Sequence, residues 1–499
     1  MQMRKLFSLL GAAIALSVPY LAVSAELESV VNAVKAGNIE AIKKKLQLHG
    51  DPNSTDPDGT TALHWAVQTD RLDLVEALIS AGAKVKVTNR WGVTPLALAV
   101  TNGNPAITQA LLRAGADPRT PIPGTGTPLL TAARSGNPDV IKALLAAGVN
   151  ANEAEETSGQ TALMWAAAED HPAAVKALLA AGADVRKVSR KHETALFFAV
   201  RTGDTILADA LLAAGADVNG RTPPDQPKLS PLGDSMLVAA IVNGHFGLAD
   251  FLLNKGADPN AAGTRWPPLH ALVRIRTYEE SQYPPPKTAE GDLDSLELAR
   301  RLLAHGADPN ARAATKTARR NPGDMNYTEF KGATPFFLAA KAGDLPMMRL
   351  LLSVKADYST PIDEHTTPLM VAAGVGCVPG QWIEPERDIF GAVKLLVDEL
   401  KADVNAVNDR HETALHGAVC RGADSVIQFL VDKGAKLDVK DVEGKTPLDV
   451  ALNGIFRGDS IGTPPVIVLK FPEHTQILMK KLTAEHAADP ARRAGLVDR

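Results

Sequence analysis

A six-residue pattern returns along this chain at a fixed interval. It reads Thr-Ala-Leu-His-Trp-Ala at Thr61–Ala66, Thr-Pro-Leu-Ala-Leu-Ala at Thr94–Ala99 and Thr-Ala-Leu-Met-Trp-Ala at Thr161–Ala166. Further copies begin at Thr127, Thr194, Thr334, Thr367, Thr413 and Thr446, and weaker ones at Ser235 and Pro267. The first four steps are 33, 33, 34 and 33 residues. A second half follows most starts, Leu-Leu and then Gly-Ala-Asp, as at Leu111–Asp117, Leu178–Asp184, Leu211–Asp217, Leu252–Asp258 and Leu302–Asp308. A repeat of this length is one small structural unit, and it must stack on its neighbours because it cannot bury its apolar face alone.

Composition agrees with stacked small helices. A length of 499 residues would ordinarily suggest about three globular domains, but only 4% of the residues are aromatic. Compact cores draw much of their buried area from aromatic rings, whereas Ala, Leu and Val suit helices packed closely together. Charged residues at 22% argue against wholesale disorder. A net charge of −4 excludes a generally basic nucleic-acid binder. Two cysteines exclude a disulfide-dense scaffold and an all-cysteine zinc site.

The residues of each unit have physical roles. Thr or Ser caps a first helix by accepting a backbone N–H. Pro at the next position has its φ preset and lacks an N–H that would go unpaired there. Leu and Ala face the neighbouring helices. A Gly-Asn or Gly-Asp turn follows, as at Gly37-Asn38, Gly103-Asn104, Gly136-Asn137 and Gly203-Asp204. The second helix carries Leu-Leu, its Gly supplies a left-handed C-cap, and Asp or Asn turns the chain into a hairpin leading to the next unit.

With these motifs the chain resembles the ankyrin repeat family over roughly residues 27–486. The resemblance implies an all-α solenoid of about twelve helix-turn-helix units joined by β-hairpin loops. It places an N-terminal capping repeat at 26–58, the array at 59–443 and a C-terminal capping repeat at 444–486, with 487–499 as a disordered tail. Five insertions interrupt the period, at 220–233, 276–291, 311–331, 375–388 and 454–472. The first and third fall on the hairpin edge, and the other three fall between the two helices of a unit.

Residues 1–25 read as a secretory signal peptide. Arg4 and Lys5 supply the positive start, Leu6 to about Ala22 the apolar stretch, and Val23-Ser24-Ala25 the cleavage site. Export is therefore expected, to a periplasm first, with the extracellular space as the alternative. The apolar stretch is short for a membrane span and is interrupted by Gly11, Ser17 and Pro19. An exported chain with one cysteine pair leaves two readings for Cys377 and Cys420, a disulfide or two separate thiols.

Catalytic and metal motifs find no support. Gly458–Gly462 matches GxSxG around Ser460, but a nucleophile elbow needs a preceding strand and a following helix. Here a repeat helix precedes, and Thr463-Pro464-Pro465 follows. Ser235 occupies a capping position. His64, His270 and His416 share one repeat position where a structural hydrogen-bonding role is expected, and the other histidines are dispersed. No cofactor, metal, nucleic acid or catalytic activity is expected.

What the resemblance implies is protein binding by a monomer, through hairpin tips and the concave face of the first helices. The matching tip residues are Arg90, Trp91, Arg190, Lys191, Asp409 and Arg410. The matching concave residues are Trp65, Trp165 and Phe198. Trp, Tyr and Arg are enriched where binding energy concentrates. An unidentified protein partner is expected. Two other readings stay open, a secreted effector bound to a host protein and a hydrolase housed in the C-terminal insertions.

Overall fold

The computed structural model describes residues 29–223, 233–261, 266–277, 293–313, 331–376, 388–453 and 472–488. Over these residues the chain is all-α, with twenty-four α-helices and one π-helical turn. It divides into two compact units, one of residues 1–155 and 180–183 and the other of 156–179 and 184–499.

The first unit holds four helix pairs: α1 Val30–Lys35 with α2 Ile39–Gln47, α3 Ala62–Gln68 with α4 Leu72–Ser80, α5 Pro95–Asn102 with α6 Pro105–Arg113, and α7 Pro128–Ser135 with α8 Pro138–Ala146. The second holds α9 Ala162–Ala168, α10 Pro172–Ala180, α11 Ala195–Thr202, α12 Thr205–Ala213, α13 Met236–Val242, α14 Phe246–Asn254, α15 Pro268–Thr277 and α16 Ser295–Ala304. It continues with α17 Pro335–Lys341, α18 Leu345–Ser353, α19 Pro368–Ala373, α20 Ile389–Lys394, α21 Ala414–Arg421, α22 Asp424–Asp432, α23 Pro447–Asn453 and α24 Glu473–Ala488. Successive odd-numbered helices pack on one another, as α1 on α3 and α17 on α19, even-numbered ones do so as α6 on α8 and α14 on α16, and the two helices of a pair pack together, as α3 with α4 and α13 with α14.

Helices this short are unstable alone, so caps and packing hold them. The Thr94 hydroxyl accepts from the Ala97 N–H at 3.0 Å and Thr334 from Phe337 at 3.1 Å. Gly103 closes α5 at φ 73°, a left-handed conformation that glycine adopts without strain. Leu63, Leu78, Ile107 and Leu144 fill the core of the first unit, and Phe336, Phe337, Met347 and Leu351 that of the second. Gly417 lies inside α21 because a Cβ there would strike the Val375 backbone.

The connections are tight fingers rather than extended ladders. Among the described residues, strand-like pairing is limited to isolated bridges at Thr55–Thr61, Ile122–Gly126 and Arg221–Ser235. Finger tips hold one another instead. The Arg90 N–H donates to the Asp58 carbonyl at 2.8 Å in the first unit. In the second, Asp409 donates to Glu364 at 3.1 Å and Val442 to Arg410 at 3.0 Å. At the finger bases, Asn405 Nδ2 donates to the Gly434 carbonyl at 3.0 Å while its Oδ1 accepts from the Lys436 N–H at 2.8 Å.

Two boundaries differ from the sequence reading. Helix α15 includes Arg276 and Thr277, assigned above to the insertion at 276–291. Arg276 belongs there because its guanidinium reaches Asp344, the N-cap of α18, at 2.8 Å and donates to Ser295. Helix α24 continues to Ala488, past the expected tail boundary at 487, because a helix anchored by buried Thr475, Met479 and Leu482 propagates through Ala484, Ala487 and Ala488, the best helix formers. The segment after α20 has two more residues between Leu-Leu and Ala-Asp than Leu178–Asp184. The chain absorbs them in a π-helical turn, Leu395–Glu399, with Lys401 in the left-handed region at φ 57°.

Candidate partner-binding surface

The recurrent histidines are structural. The Thr61 N–H donates to His64 Nδ1 at 3.2 Å, and Nδ1 lies 2.7 Å from the Thr61 hydroxyl. Nδ1 is therefore the acceptor, and Nε2–H donates to the Val93 carbonyl at 2.9 Å. His416 repeats the arrangement with Thr413 and Lys445. Burial lowers the pKa of both rings, against the raising effect of the carbonyl each one meets. His270 differs. Pro267 occupies its cap position and has neither an N–H nor a hydroxyl, so Nδ1 is buried without a partner while Nε2 reaches the Ala333 carbonyl at 2.9 Å. Burial pushes the His270 pKa down to about 4. The ring stacks at 5.9 Å on Trp266, and the Arg274 guanidinium lies 4.7 Å from the Trp266 ring centre.

The expected binding residues separate into exposed and held groups. In the first unit, Trp91 is 53% exposed at a finger tip, with the Arg90 guanidinium 4.3 Å from its ring centre. Trp65 is half-buried on α3. Its indole N–H donates to Asp56 Oδ2 at 2.8 Å, and Lys35 lies 4.8 Å over the ring while pairing with the same carboxylate at 2.6 Å. The Lys35–Asp56–Trp65 clamp was not anticipated; the signal for it was the Asp-Pro-Asp-Gly finger nine residues before the tryptophan.

In the second unit, Trp165 is half-buried on α9, and Arg190 and Lys191 are exposed on the finger before α11. Asp409 accepts from His365 Nδ1 at 2.6 Å, and Arg410 lies 3.8 Å from Glu412. Phe198 does not belong to an open surface. It is 3% exposed, although it shares the repeat position of Trp65 and Trp165. Phe197 packs edge-on against it at 5.3 Å, and Arg201, one turn later, covers it at 5.0 Å. Phe197 is the more accessible of the two rings.

Several expectations lie outside the described residues: the signal peptide at 1–25, Ser460 in its GxSxG segment, and Cys377. Cys420 is buried at the end of α21. Among the described residues, no helix is long and apolar enough to cross a membrane. Among the same residues, no group of three or more His, Cys, Asp or Glu is placed to hold a metal ion.

A family model described as ankyrin repeats (3 copies) matches residues 30–122, 119–189, 181–263 and 387–457. The matched segments make up more than half of the chain, which therefore belongs to the ankyrin repeat family. Human palmitoyltransferase ZDHHC13 is 33% identical over 152 residues, 26% of this chain and 24% of that protein. Serine/threonine-protein kinase 12 of Arabidopsis thaliana is 38% identical over 77 residues, 15% of this chain and 16% of that protein. Alpha-latroinsectotoxin-Lt1a of Latrodectus tredecimguttatus is 29% identical over 118 residues, 24% of this chain and 7% of the toxin. The chain thus matches a quarter or less of the length of these relatives. The solved structure of the human ASB11 ankyrin repeat domain aligns at 24% identity and a TM-score of 0.39, over 46% of this chain and 99% of that one.

Proposed function

We propose that this chain is a non-catalytic scaffold that binds a protein partner through its finger tips and first helices. The observation that carries the reading is Trp91. It is a large, rigid indole held at an exposed tip by Arg90 and by a backbone bond to the preceding finger, in a chain otherwise poor in aromatics. Presenting an aromatic side chain costs little conformational entropy, because it has two rotatable side-chain bonds. Trp165 on α9 extends the same chemistry to the second unit.

The chain works outside the cytoplasm in this reading, in a periplasm or the extracellular space. Support comes from the basic, apolar and small-residue succession of Met1–Ala25. Affinity capture of the full chain, followed by cross-linking and mass spectrometry, tests the binding surface against a Trp91→Ala/Trp165→Ala variant. Cross-links to finger tips and reduced recovery with the variant are expected. Equal recovery with cross-links confined to the second helices would overturn the surface assignment.

A further inference from the structure

The finger between α10 and α11, from Asp184 to Glu193, concentrates positive charge in a chain whose net charge is −4. Arg186, Lys187, Arg190 and Lys191 fall within six residues, and all four are exposed. The acids on the same finger are occupied with its own fold. Glu193 Oε2 accepts from the Ser189 hydroxyl at 2.9 Å and from Gln160 Nε2 at 3.2 Å. Asp184 Oδ1 accepts the Arg186 N–H at 2.9 Å. Arg186 turns its guanidinium to the Gly215 carbonyl at 3.4 Å. Among the described residues, no acid pairs with Lys187, Arg190 or Lys191.

Other fingers of the same unit act as internal controls. Arg312 and Lys331 share Asp363 at 2.9 and 3.1 Å, Arg410 faces Glu412 at 3.8 Å, and Lys445 pairs with Glu443 at 2.7 Å. These four cations each have a carboxylate partner, whereas Lys187, Arg190 and Lys191 on the α10–α11 finger have none among the described residues. The finger is also pre-formed. Arg190 N–H donates to Ser158 at 2.8 Å, Ser189 N–H to Glu193 at 2.9 Å, and Lys191 N–H to the Ser189 hydroxyl at 3.2 Å. Val188, 55% exposed, adds one apolar contact amid the charges.

We infer that the α10–α11 finger is the docking site for an acidic segment of a protein partner, whose carboxylates pair with Lys187, Arg190 and Lys191. This rests on the protein-binding reading above and adds the chemistry of the partner. Arginine offers a carboxylate two parallel donors, and a basic patch on a fixed backbone raises the encounter rate with an anionic partner. Carboxylates fit better than a nucleic-acid strand. The finger carries no Phe, Tyr or Trp on which a base could stack.

Fluorescence anisotropy with fluorescein-labelled decaglutamate and decauridylate, on the full chain at low and physiological salt, tests the inference. Decaglutamate is expected to bind in a saturable, salt-sensitive way. Its affinity should fall at least tenfold in Lys187→Glu/Arg190→Glu/Lys191→Glu. It should change less than threefold in Lys142→Glu/Lys176→Glu/Lys480→Glu, which changes net charge equally on second helices and α24. A Lys187→Gln/Arg190→Gln/Lys191→Gln variant gives the same reading if the reversed chain fails to show its helical circular dichroism. Absence of saturable decaglutamate binding, equal loss in both reversed variants, or tighter binding of decauridylate would overturn the inference. Partner capture decides the broader reading separately. A partner recovered equally by wild type and the finger-reversed variant leaves the scaffold standing and removes the acidic-segment assignment.

Discussion

Acidification should weaken this array through its buried histidines, and His270 sets the scale. Its folded pKa of about 4 lies below the ordinary value of 6.5. The unfolded chain therefore takes up a proton first as pH falls. The stability from the neutral ring is complete above pH ~6.5, declines as pH drops toward about 4, and levels off below it. At 1.36 kcal/mol per pKa unit, the loss reaches about 2 kcal/mol at pH 5 and about 3 kcal/mol below pH 4. His64 and His416 act in the same direction, since burial lowers both. The perturbation is His270→Gln, whose amide can still donate to the Ala333 carbonyl but does not titrate. Urea unfolding followed by circular dichroism from pH 7.5 to 4.5 measures the effect. The variant is expected to be less stable at pH 7.5 and to recover about 2 kcal/mol relative to wild type by pH 5. Parallel pH profiles for the two chains would refute the reasoning. So would a proton-resonance titration of His270 with its midpoint near 6.5.

Three further outcomes follow from the same structure. Pro267→Thr should stabilise the α15 region by roughly 0.5–1 kcal/mol, because the cap and the Nδ1 partner restored outweigh the lost rigidity of proline; an unchanged or lower urea midpoint would contradict the orphaned-nitrogen account. Thr61→Ala should cost about 1–2 kcal/mol, because it removes a cap and the hydroxyl beside His64 Nδ1 together, as a lower thermal midpoint would register. Asp204→Asn should raise stability by about 0.3–1 kcal/mol at pH 7.5. Asp204 holds the Asp170 carboxyl above its usual range, whereas the matching pair in the first unit is Asn104 donating to Asp70 at 2.8 Å. The raised pKa places the repulsion above the Asp170 titration, so the gain should vanish as pH falls through it. A gain independent of pH would point to another cause.

The period, the caps and the all-α class were legible because they depend on neighbours in sequence. Thr94 capping Ala97 and Gly103 ending α5 are local events, and their residue types announce them. Exposure was less legible because it depends on what arrives from elsewhere. Trp65, Trp165 and Phe198 share one register position, yet the chain covers Phe198 with Arg201 and holds Trp65 through Asp56 and Lys35. The Arg276–Asp344 pair joins residues 68 positions apart, across an interval where the repeat period breaks. Arg190 and Lys191 were legible in the sequence as finger-tip residues, but their lack of an acidic partner was not. Their significance came only from finding Glu193 bonded to Ser189 and Gln160, while Arg312, Lys331, Arg410 and Lys445 on other fingers have carboxylate partners.

The bonds between finger tips bear on how such an array can change in length. Two successive fingers of the second unit each donate one N–H backward and offer one carbonyl forward: Asp363 gives to Lys331 while Glu364 receives Asp409, and Asp409 gives to Glu364 while Arg410 receives Val442. Duplicating or excising a whole unit at this seam conserves the donor and acceptor at each end, so no new partner has to be created. Cutting within a unit leaves one of each stranded. Gene rearrangement can therefore lengthen or shorten the protein in whole units, and a recognition finger such as Asp184–Glu193 can be moved or copied as a cassette without redesigning its neighbours.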